Sequence, residues 1–329
     1  MTKEQMRQIL TTLSCWRNDP NLFQSEMAPV HYIHYTSFAG FKAMFEPYAE
    51  NGEQYIRIFP SQIQYLNDYQ EYKEGVKVVG NIPVGIDNNI FAVCFCGEED
   101  LLSQWKYYGK NSGIAIEFDF NNNNPCRYKW WDDIDEKVSD KSDEFLMRPY
   151  PVLYNDHDGE FKKLYDNFKL SHSEDLLKNI YIPFCKNKSF HEEVESRLIF
   201  YPISEDDRTT KIKYRVTEDK IIPQFECSVS YYENNPLRVI PIKNIMIGPG
   251  PNQILLFNAV IKMIEKNECK LLFYDDEEIK KIAGTQAVLS VKQIPGKLYK
   301  AINKSGKEYV TYKTSSEITV QLSATPFRP

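Results

Sequence analysis

The residues best suited to chemistry in this sequence are Glu193-Val-Glu195-Ser-Arg197, which run directly into Leu198-Ile199-Phe200. Alternate side chains of a β-strand share a face, so the spacing predicts Glu193, Glu195 and Arg197 in one row leading into the core. Like charges in a row repel. An arginine beside them offsets part of that cost and orients one carboxylate through a forked hydrogen bond. Such a row on a strand leading into the core suits a functional site. The same row also fits a solvated strand edge carrying an ion pair of little energetic worth.

Three further groupings bear polar or ring-bearing side chains. His34-Tyr35-Thr36-Ser37 falls where a predicted strand meets a helix. Its imidazole, phenol and hydroxyls suit the ribose and amide groups of a ligand, and equally suit simple capping by Ser37. Asn67-Asp68-Tyr69-Gln70-Glu71 is a polar group inside an apolar-periodic stretch, where Asn67 or Asp68 can cap a helix. Gln104-Trp105-Lys106-Tyr107-Tyr108-Gly109 predicts a ring-rich helix in which Trp105 suits core packing. The cysteines, at 15, 94, 96, 126, 185, 227 and 269, form no CxxC pair and have no histidine at ligand spacing, so no metal is expected. Cys94 and Cys96 alternate inside an apolar run, which predicts both thiols on one side of a buried strand.

These groups need elements to hold them. Strands are predicted at 30–35, 55–59, 90–96, 113–120, 150–154, 239–247 and 270–274, besides the one bearing the carboxylates. Helices are predicted at 1–20, through Phe38, Phe41, Met44 and Phe45, at 62–79, 101–109, 158–190 and 252–266. The run 239–274 reads as a strand–helix–strand crossover. Its Gly248-Pro-Gly250-Pro is a turn, since prolines lack the N–H donors of a phosphate nest. Residues 132–144, dense in acids and lysines, suit an exposed stretch, and 285–329 suit short strands and turns.

Composition narrows the class. The chain has 329 residues, of which 42% are apolar and 14% aromatic, including 22 Tyr and 19 Phe. That supplies a large core, and pockets built from rings suit flat ligands such as nucleotide bases. A net charge of −6 argues against a surface that grips nucleic acid throughout, leaving room for a local groove. The polar start Met1-Thr-Lys-Glu-Gln-Met-Arg-Gln lacks a signal-peptide core. No uncharged apolar stretch approaches the roughly 20 residues that span a bilayer. A cytoplasmic location and no membrane partner are therefore expected.

Several pieces, in order, resemble a bacterial family known as domain of unknown function twenty-nine seventy-one. They are His34-Tyr35-Thr36; Leu66-Asn67-Asp68 with Glu71; Cys94-Phe95, Asp100 and Trp105 to Gly109; Gly113 to Phe118; Glu193-x-Glu195-x-Arg197; Ile247-Gly248-Pro249; and Ser323-x-x-Pro326-Phe327-Arg328. The resemblance runs from about residue 30 onward. It departs at Tyr69, where the family often has proline, at Gln104 in place of methionine, and at Ser196 in place of an aromatic.

The order of an early His-Tyr-Thr, ring-bearing helices and a late Glu-x-Glu also resembles the NAD-cleaving ADP-ribosyltransferases. That resemblance implies an α+β fold, a mixed and mostly antiparallel split sheet with flanking helices. It implies Glu195 as catalytic carboxylate with Glu193 on the acceptor side, or the reverse. His34 and Thr36 would position the NAD riboses, with His34 also counted among the catalytic residues and Tyr35 among those that bind the cofactor. Tyr107 or Tyr108 would stack on nicotinamide, Arg197 would orient Glu195 or bind phosphate, and Asn67, Asp68 and Glu71 would shape a second wall.

NAD is then a substrate, with a protein or nucleic-acid acceptor, in a toxin or defence effector. The alternatives are a nucleotide-binding sensor of a defence system, or a nuclease whose Asp68, Glu71, Glu193 and Glu195 share a divalent metal. The expected organisation is an N-terminal helical segment over 1–29, a core over 30–238 with a helical insertion at about 121–190, and a C-terminal extension over 239–329.

Overall fold

In a computed structural model, the residues described are 31–49, 55–66, 90–109, 112–120, 126–132, 137–138, 149–155, 182–200, 212–217, 220–231, 240–264, 298–302, 308–313 and 318–325. The expected helices at 1–20 and 158–181 and the strand at 270–274 lie outside them. The fold is α+β, and the chain divides into two units that alternate along the sequence. One comprises 1–32, 58–98 and 125–232, and the other 33–57, 99–124 and 233–329.

The first unit carries the Glu-x-Glu motif. Its main sheet has the order β12-β13-β3-β4-β11-β8. These strands are β3 (Ser61–Gln62), β4 (Phe91–Phe95), β8 (Tyr150–Pro151), β11 (Ser196–Phe200), β12 (Lys213–Val216) and β13 (Ile221–Gln224). Antiparallel pairing sets Ser196 opposite Phe95 and Phe200 opposite Phe91. All five residues of β11 are buried, and β4 and β8 pair with its two edges. Phe91 stacks edgewise on Phe225 at 4.2 Å, and both rings are buried. Such aromatic pairs add about 1 kcal/mol beyond the area they bury. A parallel pair, β9 (Leu153–Asn155) with β10 (Cys185–Asn187), lies in the same unit. So do β6 (Cys126–Asp132), β7 (Lys137–Val138) and β14 (Cys227–Tyr231), with β6 bonded to both others.

Within 121–190 the described residues are strands β6 to β10 and 3-10 turns at Ile182–Phe184 and from Lys188, so 182–190 is not the α-helix expected there, and 156–181 lie outside the described residues. The helix expected over 62–79 likewise begins differently. Gln62 belongs to β3, and Ile63–Tyr65 form a 3-10 turn.

The second unit is built on a sheet of order β1-β5-β15-β18-β17-β16. Its strands are β1 (Ile33–Thr36), β5 (Ile114–Phe118), β15 (Ile242–Ile247), β16 (Leu298–Ile302), β17 (Glu308–Lys313) and β18 (Thr319–Leu322). Strand β2 (Ile56–Ile58) contains the unit boundary. Helix α1 (Phe38–Ala49) starts on Ser37, whose Oγ accepts from the Gly40 amide at 3.2 Å, and buries Phe41, Met44 and Phe45. Helix α3 (Gln253–Ile264) buries Ile254, Phe257, Val260, Ile261 and Ile264, the i, i+3, i+4 stripe expected of a core-facing helix. Pairing of β15 with β18 is parallel, so the crossover that leaves β15 through α3 has its described parallel partner at 319–322. All five residues of β5 are buried, so both faces of this strand are covered. Its one carboxylate, Glu117, is paired with Lys243 at 2.7 Å.

A short helix, α2 (Leu102–Tyr107), follows Asp100, which adopts the left-handed region at φ 58°. Aspartate tolerates that region better than most residues. The Asp100 carboxylate accepts from Trp105 Nε1 (2.8 Å), Ser323 Oγ, Ala324 N (2.8 Å) and Thr325 N (3.0 Å). Trp105 is fully buried. A Cβ at Gly248 would come within 2.8 Å of its ring, so that turn needs glycine. Replacing Asp100 with alanine strands these donors and should cost about 3 kcal/mol in denaturant unfolding. The segment 323–325 should then become protease-sensitive first.

Candidate functional site

The carboxylates of Glu193 and Glu195 do not stand in a row on one strand. A 3-10 turn, Lys188–Glu193, starts at Asn187, whose Oδ1 accepts from the Ser189 amide at 2.9 Å. The turn ends at Val194, which is left-handed (φ 43°, ψ 50°), and β11 begins only at Ser196. A β-branched residue at positive φ is strained, so this reversal must be held from outside. Glu193 supplies its carbonyl for that purpose, accepting from Gly97 N at 2.9 Å and from Cys96 Sγ at 3.1 Å. A Cβ at Gly97 would lie 2.7 Å from the Val194 carbonyl, so only glycine permits the approach.

The reversal nevertheless gathers the expected residues, around a side chain that spacing did not reveal. Lys186 of β10 is buried, and its Nζ pairs with Glu193 Oε2 at 2.7 Å and also with Glu195 Oε2. Arg197 Nε donates to Glu195 Oε1 at 2.6 Å, and its Nη2 to Oε2 at 3.3 Å. Its Nη1 donates to the Pro183 carbonyl at 2.8 Å. Two cations thus meet two carboxylates. Glu195 also donates its backbone N–H to Tyr154 Oη at 2.7 Å. Lys186 sits 5.0 Å from the Phe190 ring centre, within cation–π range. In sequence, Lys186 stands between a cysteine and an asparagine and has no distinguishing neighbour pattern. Only its following the apolar Ile182-Pro-Phe-Cys could have hinted at burial.

The electrostatics follow from burial and pairing. Burial alone would raise the Glu195 pKa, but Arg197 and then Lys186 outweigh it and bring the carboxyl from 4.5 down to about 2. Burial pushes the Cys96 thiol up to about 12. Burial, then the Glu195 charge, raise the Cys94 thiol and the Tyr154 phenol. Both cysteines of the alternating pair therefore approach the carboxylates as neutral thiols. The Ser196 hydroxyl, buried beside them, has no hydrogen-bond partner among the described residues.

The other expected site residues lie elsewhere. His34, Tyr35, Thr36, Tyr107 and Tyr108 belong to the second unit, whereas Glu193, Glu195 and Arg197 belong to the first. Tyr35 is core: its ring meets Trp105 edgewise at 4.8 Å, and its Oη accepts from the Leu101 amide at 3.2 Å. His34 and Thr36 are half-buried on β1, and Tyr107 is 70% exposed. Asn67, Asp68 and Glu71 lie outside the described residues. Among the described residues no helix is long and apolar enough to cross a membrane. Searches against protein-family models, curated proteins and solved structures each found no match.

Because the folded pKa of Glu195 lies below its unfolded value, its ion pairs contribute stability in full above pH 4.5 and lose it as pH falls towards 2. Acid unfolding followed by circular dichroism should show that loss, and Glu195→Gln should flatten it. Lys186→Met should cost about 3 kcal/mol in urea unfolding, since it leaves buried carboxylate charge less compensated. Ser196→Ala should keep or raise stability in the same measurement, because it removes a buried unpaired hydroxyl.

Proposed function

We propose that this chain is an NAD-cleaving enzyme of the ADP-ribosyl-transfer type, acting in the cytoplasm as a toxin or defence effector. Its α+β core would be related to the ADP-ribosyltransferases and to the bacterial family whose motifs it resembles. The observation that carries this reading is the Lys186–Glu193–Glu195–Arg197 cluster, a pair of carboxylates bound to two cations where a strand begins.

Cleavage breaks the bond between nicotinamide nitrogen and ribose C1′. Nicotinamide leaves with the bonding electrons, and positive charge grows on the ribose. A fixed carboxylate against that charge lowers the barrier by several kcal/mol in a site shielded from water. The geometry favours Glu193 for this contact. Its side chain is 13% exposed against 4% for Glu195, and both Glu195 oxygens already accept from Lys186 and Arg197.

Glu195 is then the positioning residue, holding Lys186 so that Lys186 holds Glu193. This reverses the first-choice roles drawn from the motif alone. His34, Tyr35, Thr36, Tyr107 and Tyr108 belong to the other unit, with Tyr35 committed to its core, so the reading rests on the carboxylate cluster. The nuclease alternative fits less well, because the Lys186 ammonium stands between the two carboxylates, where a shared divalent cation would sit.

The test is nicotinamide release from NAD by purified protein, with and without cell lysate as acceptor source. Glu193→Gln should lower kcat by at least about a hundredfold in protein that remains folded, with a smaller loss of melting temperature than Glu195→Gln. Glu195→Gln should lower kcat less and also lower stability. Release by folded Glu193→Gln protein at the wild-type rate would overturn the reading. An NAD-induced rise in melting temperature with no release would favour a sensor, and chelator-sensitive cleavage of nucleic acid a nuclease.

A further inference from the structure

The outer strand of the first unit's main sheet, β12, has an unusual surface. It ends the strand order, so one of its edges has no partner among the described residues. Pairing with β13 sets Tyr214 opposite Pro223 and Val216 opposite Ile221. Opposed residues share a face, so these four side chains form one patch. Tyr214 is 67% exposed, Val216 74% and Ile221 58%. An apolar patch along an open strand edge is what a protein normally avoids, because it invites another chain to add as a strand.

The opposite face carries Lys213 and Arg215. Lys213 pairs with Glu226 at 2.8 Å. Arg215 has no carboxylate partner among the described residues. It lies across from the buried Ile222 and is itself exposed. An exposed guanidinium with no carboxylate partner among the described residues can take one from another chain.

The charges also decide between occupants. A second copy pairing β12 with β12 about a two-fold axis must set like faces opposite one another. Lys213 and Arg215 would then oppose each other or themselves, which is destabilising. The exposed Arg215 favours an acidic strand.

We propose that β12 is a docking edge for an extended, acidic segment of a partner protein, which adds as a strand. Its apolar side chains cover Tyr214, Val216 and Ile221, and a carboxylate on its other face pairs with Arg215. Main-chain hydrogen bonds to the open edge supply the affinity, and the alternation supplies the selectivity. This inference is independent of the NAD reading.

The probe is a synthetic peptide alternating aspartate with valine. Its controls are the same peptide with lysine for aspartate and a single-stranded oligonucleotide. Titration at low salt should show binding of the acidic peptide and amide-exchange protection at 213–216. Arg215→Glu should weaken binding about tenfold, Arg215→Lys less, and the double variant Tyr214→Ser/Val216→Ser should abolish it. All three variants should melt with the wild-type protein. Equal binding of the lysine peptide, no binding of either peptide, or oligonucleotide binding lost in Arg215→Glu would overturn the proposal. So would sedimentation showing self-association that depends on Tyr214 and Val216.

Discussion

Burying Glu195 and Arg197 at the head of an interior strand imposes the constraint on which much of the first unit depends. Moving one such charge out of water costs several kcal/mol even after relaxation. Pairing alone does not return that cost, because an isolated ion pair leaves donors and lone pairs unmet. The structure meets the need from four directions. Lys186 arrives on β10, the Pro183 carbonyl takes an arginine N–H, Tyr154 accepts the Glu195 amide, and the Val152 amide donates to the Glu195 carbonyl at 2.9 Å. The parallel pairing of β9 with β10, the 3-10 turn before β10 and the placement of β8 beside β11 are the backbone arrangement that delivers those partners.

The same constraint explains why the site is neutral overall and unequal in detail. Two cations cancel two carboxylates, so the cluster can be buried. Within it, Glu195 is locked by both cations, while Glu193 answers to Lys186 at the margin. A turn with a left-handed valine separates the two glutamates, so they need not share a face to share a lysine. A cluster of this kind, once formed, leaves one member able to meet a ligand without dismantling the rest.

Periodicity made much of the scaffold legible. The helix capped by Ser37, the ring helix at 102–107, the strands at 91–95, 114–118 and 242–247 and the helix after Gly248-Pro-Gly250 all follow from apolar spacing and turn residues. Trp105 was recognisable as core for the same reason. The motif Glu193-x-Glu195-x-Arg197 pointed to the right residues with the wrong backbone, because alternation assumes a strand and the Gly97 contact stabilises a reversal instead. Lys186 and Tyr154 were invisible because their importance is purely tertiary. The strand expected at 150–154 is present as β8 and β9, whereas the helix expected over 158–190 gives way at 182–190 to 3-10 turns and β10. The convergence of Asp100 with Ser323 was beyond any local pattern, although both residues stood in the motifs that carried the family resemblance.

The strand order of the second unit has a consequence for how the polypeptide is made. β1 and β5 leave the ribosome early, yet the partner on the far side of β5 is β15, and β15 in turn needs β18, which contains residues 319–322. Segments of the other unit are synthesised in between. Neither unit can therefore be completed before the other has begun. The growing chain must carry an open, apolar sheet edge through most of its synthesis, which favours slow, late and cooperative closure. Nascent-chain length, rather than the strength of any single contact, then sets when this protein becomes safe from aggregation.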